Sequence, residues 1–167
     1  MVKHIVGDLL NGDVDIIAHQ VNCRGVMGSG VALRIREMFP DVYDSYQNLV
    51  SQVGIRSLHS TPTRAQLLLG KNQYVEATRK DRHIIVANMF AQDSFGCNGR
   101  YTDYRAFCLC MRALRRYALF ESRLGKRIGL PYKIGCDRGG GNWDTVYQII
   151  CEELHGCNVT LFELPKE

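Results

Sequence analysis

A chain of 167 residues, 46% hydrophobic and 23% charged, has the length and composition of one globular domain, residues 1–167, and excludes a disordered chain. Its formal net charge of +4 suits an anionic small ligand or a solvated surface, and no stretch is basic enough to demand nucleic acid. Seven cysteines, an odd number, argue against a disulfide framework, no apolar run approaches the roughly 18 residues of a membrane span, and the opening Met1-Val2-Lys3-His4 is no signal peptide, so a reduced, cytoplasmic setting is expected.

Residues 2–6 read as a first strand, and Gly7-Asp8-Leu9-Leu10 turns out of it. Residues 14–21 form a second strand, buried by its near-continuous apolarity. A glycine loop at 22–30 follows. Val31, Ile35, Met38 and Phe39 then share a helical face, Pro40 ends that helix, and Asp41 is a candidate N-cap for a second helix that Gly54 stops. After a polar connection at 55–64, strands are expected at 66–69, 73–77 and 83–89, with Asp81-Arg82 in a hairpin position. Residues 91–102 are a long polar and aromatic loop. Phe107, Met111, Leu114 and Ala118 mark a helix whose outer face carries Arg105, Arg112, Arg115 and Arg116. Cys108 and Cys110 lie in that helical pattern with no second Cys/His pair at finger spacing, so no metal is expected. A strand at 127–134, a second glycine loop at 135–141, a helix from Trp143 closed by Gly156, and a strand at 158–164 complete the chain. This alternation predicts a three-layer α/β/α domain with a mixed, mostly parallel central sheet.

The unit strand, glycine loop, helix occurs twice, as "VNCRGVMGSGVALRI" and "YKIGCDRGGGNWDTVYQII". Glycine lets a ligand approach the main chain, and a helix N-terminus offers unpaired N–H groups, so each loop can cradle an anion. Both loops would emerge at the carboxyl ends of strands, where two adjacent cradles suit a diphosphate. The glycine spacing of the first loop reverses the dinucleotide fingerprint, and the second lacks the Lys-Ser/Thr pair of a phosphate-binding loop.

The blocks "GDLL" (7–10), "IIAHQVNCRGVMGSGVA" (16–32), "VANMFAQDSFG" (86–96) and "LPYKIGCDRGGGNWDTV" (130–146) resemble, in order and spacing, the macro domain family of ADP-ribose-binding modules. The likeness is to the branch that holds the terminal ADP-ribose glycohydrolase and the ADP-ribose-1″-phosphate phosphatase. The resemblance implies that Asp8 accepts the adenine amine with the Leu9 amide beside it. It places Asn22 near the distal ribose, Gly28, Ser29, Gly30 and Val31 around that ribose and one phosphate, and Gly135, Cys136, Asp137, Arg138, Gly139, Gly140 and Gly141 around the diphosphate. Phe162 is an adenine-packing group or, by preference, a core residue of the last strand. Tyr101 and Tyr104 are expected at the rim.

The chain departs from the family's hydrolytic patterns. Gly25 stands where one branch has a second asparagine, and the 88–93 stretch lacks the lysine of another. What remains resembles the phosphatase arrangement, with His19, Asp93 and, third, Asp137 as candidate catalytic residues that orient or deprotonate a water. His19 is equally read as a strand histidine bonded to a backbone carbonyl, and Asp93 as a turn former. A nucleophilic role for Cys23 or Cys136 lacks a neighbouring base. The expectation is a monomer that binds ADP-ribose and hydrolyses an ADP-ribosyl adduct or ADP-ribose-1″-phosphate, without cofactor or membrane, and with nucleic acid only as a modified substrate. The alternative is a non-catalytic reader of ADP-ribose.

Overall fold

The computed structural model describes residues 1–53, 67–120 and 125–166. Among the described residues, six strands form one sheet in the order β1-β6-β5-β2-β4-β3. They are β1 (Val2–Val6), β2 (Ile16–Asn22), β3 (Asn72–Arg79), β4 (Arg82–Gln92), β5 (Arg127–Pro131) and β6 (Asn158–Glu163). All neighbours are parallel except β3 and β4. That antiparallel hairpin comes from the middle of the chain but forms one edge of the sheet. Its loop is Lys80-Asp81, both at positive φ (46° and 62°), which matches the right-handed strand twist as a two-residue hairpin turn should.

Helices cover both faces. α3 (Tyr104–Phe120) and α4 (Trp143–Glu153) pack on one face over Ile16, Ala18, Ala87, Met89, Ile128 and Leu130. α1 (Gly30–Met38), α2 (Pro40–Gln52) and a short 3₁₀ helix (Leu9–Asn11) cover the other over Ile17, Val21, Val86 and Phe90. β2 is therefore buried along nearly its whole length, as its apolar run predicts. Phe162 belongs to this second core, its ring filling the space that a side chain at Gly12 would need. Its core role is the one observed.

Three local expectations are corrected. Phe39, not Asp41, caps α2, because Pro40 occupies the first helical position, where its missing N–H costs nothing. Leu67–Leu69 form a turn and not a strand: Gly70 at φ 82° and the bond from Lys71 N to Leu68 O curl the chain while Leu68 is buried beside Phe90. Strand β5 stops at Pro131, because Lys133 turns to φ 56° and Ile134 N returns to Pro131 O. Gly54, the connection at 55–64 and Gln66 lie outside the described residues. Among the described residues no helix is long and apolar enough to cross a membrane.

Candidate functional site

The sheet creates the site by parting. β2 pairs with β4 along its length, but with β5 only at Ile16–Ile128 and Ile17–Gly129. Beyond these pairs the carboxyl-terminal halves of β2 and β5 diverge, and the crevice between strand ends is where open α/β sheets bind ligands. A cleft of about 780 Å³ lies there. Its β2 side is His19–Asn22, and loop one supplies Gly28–Ala32 and Arg34. Pro131–Gly135 and Asp137–Gly139 form the wall opposite, and Phe95–Cys97 close one end.

Loop one is held from beneath by α2. Asn22 Oδ1 accepts from Arg24 N (2.9 Å) and Val26 N (3.3 Å), and its Nδ2 donates to Val26 O (2.7 Å). The buried Tyr46 hydroxyl stands 2.8 Å from Asn22 O and 2.9 Å from Asn22 Oδ1, and the Gln47 amide donates to Gly25 O. Asn22 is thus the organiser of the loop as well as a cleft residue. Gly28, Ser29, Gly30 and Val31, at the start of α1, line the cleft.

Loop two is held by the 91–102 loop. Thr102 Oγ1 donates to Gly135 O (2.7 Å), and Tyr101 N and Thr102 N both donate to Gly139 O (2.8 and 2.9 Å). A Cβ at Gly139 would lie 2.3 Å from Thr102 Oγ1, and one at Gly140 would lie 2.3 Å from Gly99 O. Glycine is needed here for packing between two loops. Gly135, Asp137, Arg138 and Gly139 line the cleft; Cys136, Gly140 and Gly141 do not, since Gly140 N and Gly141 N bond back to Asp137 O and Gly135 O.

The charged groups divide unexpectedly. Asp8 lies outside the cleft lining, and all of its acceptor positions are used. It receives Leu10 N (3.1 Å), Asn11 Nδ2 (2.7 Å) and the paired Arg34 nitrogens (3.0 and 2.8 Å). The Arg34 guanidinium, first among several causes, holds its carboxyl below the usual range. Arg34 is the member of this pair that reaches the cleft. Leu9 is buried under Gly129. Asp93 also stands outside the lining, 3.2 Å from Arg24 Nη2. Among the described residues, Asp137 is the one carboxylate lining the cleft, against Arg34, Lys133 and Arg138.

His19 lines the cleft but is 1% exposed, with Nε2 2.6 Å from Asn88 Oδ1. Burial pulls its imidazole down to about 4, so the ring is neutral at pH 7. Cys23 is fully buried and its thiol is pushed up to about 12, which leaves no thiolate nucleophile. Burial raises the Cys136 thiol too. Tyr101 and Tyr104 stand outside the cleft lining; the Tyr104 hydroxyl accepts from Asn142 N and its ring lies under Arg100. Cys110 is in the core and Cys108 donates to Glu153.

Arg34, Gln20, Gln92, Phe95, Tyr132 and Lys133 were not anticipated. A sequence signal existed for two: Tyr132 and Lys133 stand one residue ahead of the second glycine loop.

A crevice between parallel strands, walled by two glycine loops and lined among the described residues by Arg34, Lys133, Arg138 and Asp137, is the candidate site. No family model matches the chain. An uncharacterised 17.5 kDa protein of phage T4, from the tk-vs intergenic region, is 30% identical over 152 residues, 90% of this chain and 88% of that protein. The DNA ADP-ribosyl glycohydrolase of Mycobacterium tuberculosis is 30% identical over 87 residues, 51% of this chain but 21% of that protein. The matched region thus spans about a fifth of that curated relative's length. In fold, the macrodomain of M. tuberculosis DarG matches with a TM-score of 0.73 at 21% identity, over 100% of this chain and 99% of that one. Thermosipho africanus DarTG in complex with ADP-ribose matches with a TM-score of 0.74 at 21% identity, over 98% of this chain and 41% of that one. The chain belongs to the macro domain family.

Proposed function

We propose that the cleft binds ADP-ribose and hydrolyses an ADP-ribose derivative, either an ADP-ribosyl adduct or ADP-ribose-1″-phosphate. The observation that carries this reading is the crevice between β2 and β5, where the main chain of loop one and of loop two faces one volume under a net positive lining. Backbone N–H groups and three cations suit a diphosphate. The names of relatives support the substrate class: a DNA ADP-ribosyl glycohydrolase matches part of the chain, and a solved neighbour holds ADP-ribose. In this reading Tyr132, Val31 and Leu164 form the apolar end that takes the base. Asp8 reaches that end through Arg34, which it orients, and Asp93 sets loop one through Arg24.

For hydrolysis, Asp137 would orient or deprotonate a water, and neutral His19, which also lines the cleft, would act as an acceptor. A second reading, a non-catalytic reader, draws on the same geometry: Asp93 is paired with Arg24, and Asn22 is engaged in holding its own loop. Calorimetry with ADP-ribose, followed by turnover assays on ADP-ribose-1″-phosphate and on ADP-ribosylated protein and DNA, separates the two. Binding with turnover that Asp137→Asn abolishes supports the hydrolase. Binding without turnover supports the reader, and absence of binding refutes both.

A further inference from the structure

A line of three polar side chains crosses an otherwise apolar face of the sheet. His19 on β2 is level with Asn88 on β4, which is level with Gln73 on β3. One pleat below them lie Ile17, Val86 and Val75; one pleat above lie Val21 and Phe90. Asn88 is 0% exposed and His19 1%. Polar groups are retained in such a place only when each bond is made, so the line has to be read as a connected whole.

Its direction is fixed at the far end. Gln73 meets the main-chain carbonyl of Ser45 in α2 at 2.9 Å, and a carbonyl only accepts. Gln73 must therefore present its NH₂ to Ser45 and its Oε1 to Asn88, whose Nδ2 donates to it at 3.0 Å. Asn88 is left showing Oδ1 to His19, at 2.6 Å from Nε2. An oxygen at that distance requires an N–H. In a neutral ring the single proton is then on Nε2, and Nδ1 is a bare lone pair. Nδ1 is buried and has no partner among the described residues.

We propose that Asn88 and Gln73 are positioning residues that lock His19 as its Nε2–H tautomer, so that Nδ1 is kept as an acceptor for a sugar hydroxyl of the ligand in the cleft. The identity of the ligand rests on the reading above; the lock does not. A ring with Nδ1–H would set a donor there and could not receive a hydroxyl hydrogen. The chain Ser45–Gln73–Asn88 determines the choice from three elements away.

The test is nitrogen-15 NMR of the His19 ring in the whole chain, paired with calorimetry. At pH 7 the free protein should show a pyridine-type Nδ1 and a pyrrole-type Nε2. Gln73→Met removes the constraint on the Asn88 amide, and a second, Nδ1–H population should appear. Saturating ADP-ribose should move the wild-type Nδ1 signal toward the hydrogen-bonded range. An Nδ1–H ring or an imidazolium in the free wild type would overturn the lock, whether or not the variant folds. An Nδ1 signal that ignores bound ADP-ribose would overturn the acceptor role. Absence of heat with ADP-ribose would instead strike the functional reading and the acceptor role with it, while the tautomer of the free protein still decides the lock.

Discussion

At Asp8 one carboxylate does two things: it caps the 3₁₀ helix through Leu10 N and it holds Arg34 by both terminal nitrogens. Asp8→Ala should cost about 1 kcal/mol of stability through the lost cap, read by urea unfolding. It should also weaken ADP-ribose binding about tenfold, because Arg34 loses its orientation. A full loss of affinity with no change in stability would mean that Asp8 touches the ligand directly. Gly28 and Gly140 differ in what they can report. A Cβ at Gly28 meets Val26 at an ordinary 3.4 Å and points into a cleft-lining loop, so Gly28→Val should fold normally and lose binding by at least tenfold. Gly140→Val would strike Gly99 O at φ 64°, and its failure would be one of folding. His19 carries a pH signature. Its folded value, about 4, is depressed below the ordinary 6.5, so the unfolded chain binds the proton first. The associated stability is complete above pH 6.5 and declines toward pH 4 at roughly 1.4 kcal/mol per pH unit. His19→Gln should flatten that part of the unfolding profile.

At the scale of elements, the two glycine loops are built differently despite their like sequences. Loop one is fastened to a helix through Tyr46, Gln47 and Asn22; loop two is fastened to another loop through Thr102. Tyr46→Phe should cost about 1 kcal/mol, the ordinary worth of a buried hydrogen bond. It should also weaken ADP-ribose binding, because Gly28–Val31 lose their support; unchanged affinity would show that Asn22 alone holds the loop. These fastenings explain what could be read beforehand. Glycine spacing and apolar periodicity are local, so both loops and, apart from the strand expected at 66–69 and the end of β5, the strands and helices of the described residues were legible. Which side of a loop a carboxylate faces is not local. Asp93 is a catalytic candidate by resemblance, and only the fold shows that the pairing of β2 with β4 brings Arg24 within 3.2 Å of it. Arg34 went unnoticed because its meaning lies in reaching Asp8, 26 residues earlier.

Over the whole molecule, a cluster of ion pairs and the candidate cleft lie at opposite ends of the sheet. Asp13 and Asp15 before β2 join Arg82 at the start of β4 and Arg127 at the start of β5. Arg127 holds the Asp15 carboxyl well below its usual range. A depressed carboxylate stabilises above its unfolded value, so this contribution is present above about pH 4 and is lost as the pH falls further. Asp15→Asn should lower stability by about 1 kcal/mol after solvent screening and leave ADP-ribose affinity unchanged. A fall in affinity would show that the parting of β2 and β5 depends on this anchor.

The sequence by itself determined the layers, the buried central strand and the two glycine loops, because periodicity and glycine placement act over a few residues; the order and spacing of its motif blocks carried the resemblance to a family. The tertiary structure alone decided which charges face the cleft and which face one another. It also decided that β2 and β5 part after two residue pairs, and that a carbonyl on α2 sets the proton on His19 two strands away. These depend on contacts between residues far apart in the chain, and such contacts exist only once the sheet has closed its register.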